Sequence, residues 1–92
     1  MTSLLCTLLT CLTFSVSMYT DVGHTYSGHW TRPGIAACGP SYLGAVVIVQ
    51  QKAYICADRG GLVTDGHIDI WHDSEDEAWE FGRKELLVGV IR

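Results

Sequence analysis

The chain has no charged side chain in its first 20 residues, and all six basic and ten acidic residues lie from Asp21 onward. Basic residues are scarce, form no run and leave a net charge of −4, which argues against nucleic acid as a partner held through phosphate contacts. No stretch of about 18 residues is apolar without interruption, which argues against a committed transmembrane helix. A chain of 92 residues has room for one small domain.

Two interpretations of the uncharged N-terminal segment remain open. One is a secretory leader, because leucines recur on one helical stripe. Ser15 and Ser17 then offer small residues with the spacing that a signal peptidase recognises. The other is a β-strand, because residues 12–19 alternate apolar and polar side chains with a period of two. Val16 and Met18 cannot belong to both structures.

The rest of the chain is typical of short strands separated by turns. Alternation is clearest where Ile68 and Ile70 face one way and Asp69 faces the other. Residues 23–44, by contrast, hold five of the ten glycines and both prolines, which predicts loops with little regular structure. Strands are predicted at residues 45–49, 52–57, 67–71 and 86–91.

One short helix is predicted near the C-terminus. Ser74 and Glu77 have the spacing of a capping box, in which each side chain accepts from the other residue's backbone amide. The helix is expected to run from about Glu75 to Phe81 and to end at Gly82, since glycine is favoured just after a helix. Strands without helical crossovers and one short helix predict a mainly β fold, a small barrel or barrel-like sheet.

A set of short motifs then occurs in a fixed order along the chain. They are Thr25-Tyr26-Ser27-Gly28, Ile35-Ala36-Ala37-Cys38-Gly39-Pro40, Asp58-Arg59-Gly60-Gly61 and His67-Ile68-Asp69-Ile70. Together they resemble the three-aspartate (3D) domain, a double-psi β-barrel of bacterial cell-wall proteins and of the membrane-bound lytic transglycosylase A family. The resemblance covers roughly residues 15–92 and implies a six-stranded double-psi barrel there. Residues 1–14 then remain as an apolar leader for export or membrane anchoring.

The resemblance assigns roles to two acids and departs at a third. Asp58 matches the aspartate that opens the family's D-x-G-G segment, and Asp69 matches the aspartate of its I-D strand. The family's first aspartate belongs to an A-x-D-P segment, where this chain has Gly39.

The activity implied by the resemblance is cleavage of the peptidoglycan glycan strand without water as the nucleophile. The 6-hydroxyl of muramic acid attacks its own anomeric carbon, and one carboxyl group serves as acid and then as base. We expect Asp69 to be that group, with a pKa raised by burial beside Trp71 or by a second carboxylate. Asp58 is the expected supporting carboxylate.

Further expectations concern ligand contacts. The resemblance implies a peptidoglycan partner, no cofactor and no metal. Aromatic rings at Tyr26 and Trp30 are suited to stacking on sugar faces. The expected substrate-binding residues are Thr25, Tyr26, Ser27, Trp30, Gly60, Gly61 and His67.

The cysteines divide into two pairs along the chain. Cys6 and Cys11 belong to the leader, whereas Cys38 and Cys56 flank the positions of the family's first two aspartates. Because those positions must converge to form the site, the resemblance implies a Cys38–Cys56 disulfide. Such a crosslink suits an exported domain of the bacterial cell envelope or the extracellular space.

Four other interpretations compete with the enzyme. The first is a carbohydrate-binding barrel without catalysis, and the second is an interaction module that dimerises by exchanging its N-terminal strand. A metal cluster of His67, Asp69, His72 and Asp73 would require the chain to bend near Trp71. The last is a Cys38 nucleophile with His24 or His29 as its base.

Overall fold

The computed structural model describes Cys6, residues 9–60 and residues 62–92. Its strands are β1 (Thr10–Tyr19), β2 (Ile35–Cys38), β3 (Val46–Val49), β4 (Lys52–Asp58), β5 (His67–Trp71) and β6 (Lys84–Ile91), and helix α1 (Glu75–Phe81) lies between the last two. The six strands close into a barrel in the order β1-β5-β2-β4-β3-β6. The predicted mainly β, six-stranded barrel with a short helix near the C-terminus is therefore confirmed. Its parallel pairs, β1 with β5 and β2 with β4, are compatible with a double-psi barrel.

The barrel interior is filled by every second residue of the strands. Ile68 and Ile70 of β5 are almost fully buried, while the alternating residues His67 and Asp69 lie on the outer face, as the alternation predicted. A six-stranded barrel is narrow enough for side chains to fill it completely. The core comprises Phe14, Val16, Ala36, Cys38, Ala45, Val47, Val49, Cys56, Ile68, Ile70, Val88 and Val90.

Strand β2 lies within the segment that was expected to form loops, and that expectation is wrong for its four residues. The strand pairs with β4 on one side and with β5 on the other. All of its residues are buried, and Ala36 and Cys38 belong to the core, whereas Ile35 and Ala37 lie on the opposite face. A short strand buried on both faces has no polar alternation, so the glycines and prolines around it dominate the local pattern.

Helix α1 has the predicted bounds, but its capping differs in one half. The Ser74 hydroxyl accepts from the Glu77 amide at 3.2 Å, as expected. The Glu77 carboxylate does not return to the Ser74 amide, because it lies 3.1 Å from His72 Nε2. The Ser74 amide donates instead to His72 Nδ1 at 3.0 Å. The histidine thus takes the place of the second capping bond.

Strand β1 begins at Thr10, ahead of the boundary predicted at residue 15, and Phe14 packs in the core. A disulfide joins Cys6 to Cys11. Residues 1–5, 7 and 8 of the predicted leader lie outside the described residues. Among the residues that are described, no helix has the length and apolarity needed to cross a membrane. β1 pairs with β5 and with β6, so it lacks the unpaired edge from which strand exchange was inferred.

A second disulfide lies inside the barrel and joins Cys38 to Cys56 with a Cα–Cα distance of 5.5 Å. It closes a loop with a sequence separation of 18. A crosslink over a loop of this length stabilises mainly by restricting the unfolded chain, by about 2–4 kcal/mol.

We predict that reduction of this bond lowers the free energy of unfolding by about 2–4 kcal/mol. The experiment uses the Cys6→Ser/Cys11→Ser variant, which retains only the internal disulfide, in urea titrations with and without reductant. A Cys38→Ala/Cys56→Ala version of the same variant is the control and should not respond to reductant. Equal stability of the oxidised and reduced forms would contradict the prediction.

The β3–β4 turn is a second point where stability is open to change. Gln50 and Gln51 both have positive φ angles, 50° and 71°, as in a type I′ hairpin turn. Asn-Gly is the preferred pair for this turn, because non-glycine residues in the left-handed region cost about 1–2 kcal/mol each. We predict that Gln50→Asn/Gln51→Gly raises the melting temperature by about 4–8 °C. Glycine at Thr13, an exposed strand residue, is the control and should lower it.

Candidate acidic groove

A row of paired residues crosses four strands and carries both predicted acids. Ser17 of β1 pairs with Asp69 of β5, Asp69 pairs with Ala37 of β2, and Ala37 pairs with Asp58 of β4. Strands lie about 4.8 Å apart, which places the Cα atoms of the two aspartates roughly 10 Å from each other. Between them Ala37 presents only a methyl group.

The space above Ala37 is a groove of about 300 Å³. Both Asp58 and Asp69 line it, so the structure brings the two predicted acids to one site. We call this feature the acidic groove. Its other walls include Tyr19, Asp21, His24 and Thr31.

Asp69 is half-buried, and its carboxyl group has an unusual environment for an aspartate. Burial raises its pKa above the ordinary value, and the negative charge of Asp21 acts in the same direction. A hydrogen bond from Ser17 and electrostatic interactions with His67 and Arg83 oppose that rise without cancelling it. A carboxyl with a raised pKa is suited to proton donation. The like charge acting on Asp69 is thus Asp21, where Asp58 had been expected.

The Ser17 hydroxyl connects Asp69 to His67. Its oxygen donates to Asp69 Oδ1 at 2.9 Å and lies 2.7 Å from His67 Nε2. Because a hydroxyl has one hydrogen, donation to Asp69 makes the histidine nitrogen the donor of the second bond. Burial, followed by the charge of Arg83, lowers the pKa of His67 and favours its neutral form.

Asp58 is fixed by three hydrogen bonds. Its Oδ1 accepts from the backbone amides of Tyr26 and Arg59, both at 2.9 Å. Its Oδ2 accepts from the Tyr19 hydroxyl at 3.1 Å. Burial and the charge of Asp58 raise the pKa of Tyr19, so this hydroxyl remains a donor. Asp58 therefore lines the groove and also stabilises the turn that follows it, by accepting from the Arg59 amide.

The predicted ligand-contacting residues divide into two groups. Tyr26 and Trp30 are exposed, and the Trp30 ring packs edge-on against His24 of the groove wall at 4.9 Å. Thr25 and Ser27 instead stabilise their own loop, since Thr25 accepts from the His29 amide and Ser27 donates to the carbonyl of Ala57. Those two hydroxyls do not line the acidic groove.

A second cavity, of about 570 Å³, adjoins the groove through Gly60, which lines both. Tyr26, Arg59 and Asp65 also line this second cavity. The Arg59 guanidinium lies over the Tyr26 ring, 5.1 Å from its centroid. Gly61, the other glycine predicted to contact ligand, lies outside the described residues.

Two alternatives from the sequence are wrong. Cys38 is in a disulfide with Cys56 and is therefore not a free nucleophile. The expected four-residue metal cluster is divided, because His67 and Asp69 meet at Ser17, whereas His72 groups with Asp73 and Glu77 at the start of α1. Both ring nitrogens of His72 are engaged there, by the Ser74 amide and by Glu77.

Sequence reasoning missed three residues of the site, namely Ser17, Tyr19 and Asp21. Ser17 and Tyr19 lie on the same face of β1, and only the parallel register with β5 reveals that Ser17 lies opposite Asp69. Asp21 follows the strand, and the Trp71 indole donates to its backbone carbonyl at 2.8 Å. The alternation along β1 indicated which of its side chains face outward. It did not indicate which strand pairs with β1.

Protein-family models, curated proteins and solved structures yield no match to the chain. The functional argument therefore starts from the groove. It offers one half-buried acid with a raised pKa, one fixed carboxylate and exposed aromatic rings at its margin.

We predict that Ser17→Ala raises the pKa of Asp69 further, because the variant removes the hydrogen bond that stabilises the carboxylate form. Carbon-13 NMR titration of the aspartate carboxyl groups measures this directly. Thr13→Ala, an exposed position on the same face of β1, is the matched control and should leave the titration unchanged. An unchanged or lower Asp69 pKa in Ser17→Ala would show that the bond has no such effect.

Proposed function

We propose that the protein binds glycan strands of peptidoglycan in the acidic groove and cleaves them as a lytic transglycosylase does, with Asp69 as the acid and base. The observation that carries this proposal is the Asp69 carboxyl, half-buried in the wall of a groove with its pKa raised. We also propose that the barrel is a double-psi barrel of the three-aspartate class. The strand order and the two parallel pairs support that assignment.

In this mechanism Asp69 performs both proton transfers. The protonated carboxyl gives its proton to the glycosidic oxygen as the bond to the anomeric carbon of muramic acid breaks. The resulting carboxylate then accepts the proton of the 6-hydroxyl as that oxygen bonds to the anomeric carbon, which forms the 1,6-anhydro ring. Asp69 is protonated again at the end, so the reaction needs neither water nor a second acid.

Ser17 determines the orientation of the Asp69 carboxyl group relative to the sugar. Its hydrogen bond occupies Oδ1, so Oδ2 is available to the glycosidic oxygen. A carboxyl held in one orientation by a neighbouring hydroxyl is better placed for transfer than a freely rotating one. His67 fixes the serine from the other side, which is a positioning role.

The negative charges of the groove suit the charge that develops during glycoside cleavage. The sugar acquires positive character at the anomeric carbon, and nearby carboxylates stabilise it. Asp58 supplies a carboxylate across Ala37, and Asp21 supplies another on the adjacent wall. Tyr26 and Trp30 offer aromatic faces for neighbouring sugars.

Export to the cell envelope belongs to the same proposal. Disulfides persist in oxidising compartments, and the structure contains two. Peptidoglycan lies in such a compartment, so substrate and crosslinks indicate the same location.

A carbohydrate-binding barrel without turnover is the second candidate. The hydrogen bonds on both oxygens of Asp58 favour it, because they commit this carboxylate to structure. The absence of a side chain at Gly39 favours it as well. The two candidates share the groove and differ only in whether Asp69 transfers protons.

We predict that the protein releases anhydro-muropeptides from purified cell-wall sacculi, detected by mass spectrometry. Asp69→Asn should remove this activity, by 100-fold or more, while retaining binding in a sacculus pull-down. Ala37→Leu should remove both, because the larger side chain fills the groove between the carboxylates. Asp76→Asn, on the exposed face of α1, is the matched control and should retain both.

The same measurements separate the candidates. Binding without product from the wild type would exclude the enzyme and leave the binding module. Neither binding nor product would overturn the whole proposal. Product from Asp69→Asn at the wild-type rate would overturn the role of Asp69.

A further inference from the structure

Gly39 is a glycine for reasons of space and not of backbone angle. Its φ and ψ are −67° and 166°, an extended conformation that any residue adopts. The position is buried, and a Cβ atom placed there would clash with the backbone and carboxylate of Asp65. The room that a side chain at position 39 would occupy is therefore filled by Asp65, which lies in the loop before β5.

Asp65 also makes the bonds that an acidic residue at position 39 would make. Gly39 is the N-cap of the short 3-10 turn Pro40–Tyr42 and has no side chain with which to cap it. An N-cap aspartate ordinarily accepts from the backbone amide two or three positions along. Here the Ser41 amide donates to Asp65 Oδ1 at 3.0 Å, and the Ser41 hydroxyl donates to Asp65 Oδ2 at 2.6 Å.

We propose that Asp65 substitutes in space for the side chain that residue 39 lacks, so that the capping carboxylate has moved from one segment of the chain to another. The two positions are coupled, because a side chain at 39 and the present position of Asp65 exclude each other. This inference depends on the geometry at Gly39 and holds whether or not the protein is an enzyme.

The exchange has a consequence for ligand binding, which rests on the proposed function. Asp65 lines the second cavity with Tyr26 and Arg59, and Gly60 connects that cavity to the acidic groove. Asp65 accepts two hydrogen bonds from Ser41, and these bonds hold the loop that contains Asp65 in place. Asp65 thereby positions this wall of the cavity. Asp65 then supplies a carboxylate beside the acidic groove as a positioning residue, although the sequence has glycine at position 39.

The first test is a mutant cycle read by thermal unfolding. Asp65→Ala removes the cap and should lower the melting temperature by about 4–8 °C. Gly39→Asp should lower it at least as much, because Asp65 must move. The decisive variant is Gly39→Asp/Asp65→Gly, which restores a cap carboxylate, removes the clashing Asp65 carboxylate and gives the opposing backbone the conformational freedom of glycine to shift away. It should melt above Gly39→Asp, and an equal cost of Gly39→Asp in both backgrounds would overturn the proposal.

A second measurement remains decisive even where Gly39→Asp fails to fold. The Ser41 hydroxyl and amide, with the charge of Arg92, lower the pKa of Asp65. The Ser41 amide resonance should therefore move with pH below about 4, where an ordinary aspartate protonates. The Asp65→Asn variant retains acceptor oxygen but has no charge, so its Ser41 resonance should not titrate. A wild-type Ser41 resonance that does not respond to pH would overturn the cap.

The sign of the linked stability follows from that lowered pKa. A carboxyl whose pKa falls on folding stabilises the protein above its unfolded pKa, and this contribution is lost as pH falls below about 4. The melting-temperature difference between wild type and Asp65→Asn should therefore shrink between pH 7 and pH 3. Tyr26, Arg59 and Arg92 are the titratable neighbours of Asp65.

The proposed effect of Asp65 on ligand binding is measured in a separate experiment. In the sacculus pull-down, Asp65→Ala should weaken binding about tenfold or more, and Gly39→Asp/Asp65→Gly should recover part of that loss. Unchanged binding with a positive mutant cycle would confine Asp65 to a structural role. A wild type that does not bind sacculi would instead contradict the proposed function and leave the exchange intact.

Discussion

The site depends on the central position of β2. This strand is only four residues long, yet it pairs along both edges, and Ala37 is thereby the neighbour of both Asp58 and Asp69. Because β2 lies between β4 and β5, residues from those two strands lie on either side of a single methyl group. The small side chain then leaves the groove open, and the barrel holds its walls at fixed separation. Burial of β2 on both faces makes this arrangement rigid.

The two aspartates flanking Ala37 differ in the number of hydrogen bonds that their carboxyl groups accept. Asp58 accepts hydrogen bonds from two backbone amides and from the Tyr19 hydroxyl, and these three bonds fix its carboxyl group in one position. Asp69 has one donor, Ser17, and burial outweighs that bond in its effect on the pKa. Two identical side chains a short distance apart thus have different surroundings, since one is fixed by three donors and the other is half-buried with its pKa raised.

The sequence predicted what is encoded locally. The β-branched and alternating segments become β3, β4 and β5 within a residue of their predicted ends, and the capping box locates α1. It failed on β2 because a strand buried on both faces lacks alternation, and on the second half of the capping box because His72 competes for Glu77. In both cases a tertiary contact overrides a local pattern.

The sequence also did not show which strands pair with each other across the barrel. Both aspartates were selected from motif order, yet Ser17 and Asp21 came to light only with the register of β1 against β5. Parallel pairing joins residues far apart in the chain and leaves no local trace. The closed barrel with β1 in place also gives every strand two neighbours within the chain.

Position 39 shows how a capping bond is supplied from another segment of the chain. A Cβ atom at Gly39 would occupy the space that Asp65 fills, and the Asp65 carboxylate accepts from the Ser41 amide and hydroxyl. A capping bond depends on where an oxygen lies and not on which residue carries it, so a nearby loop can supply it. Under the proposed three-aspartate assignment, glycine at position 39 therefore still leaves a carboxylate at this end of the barrel.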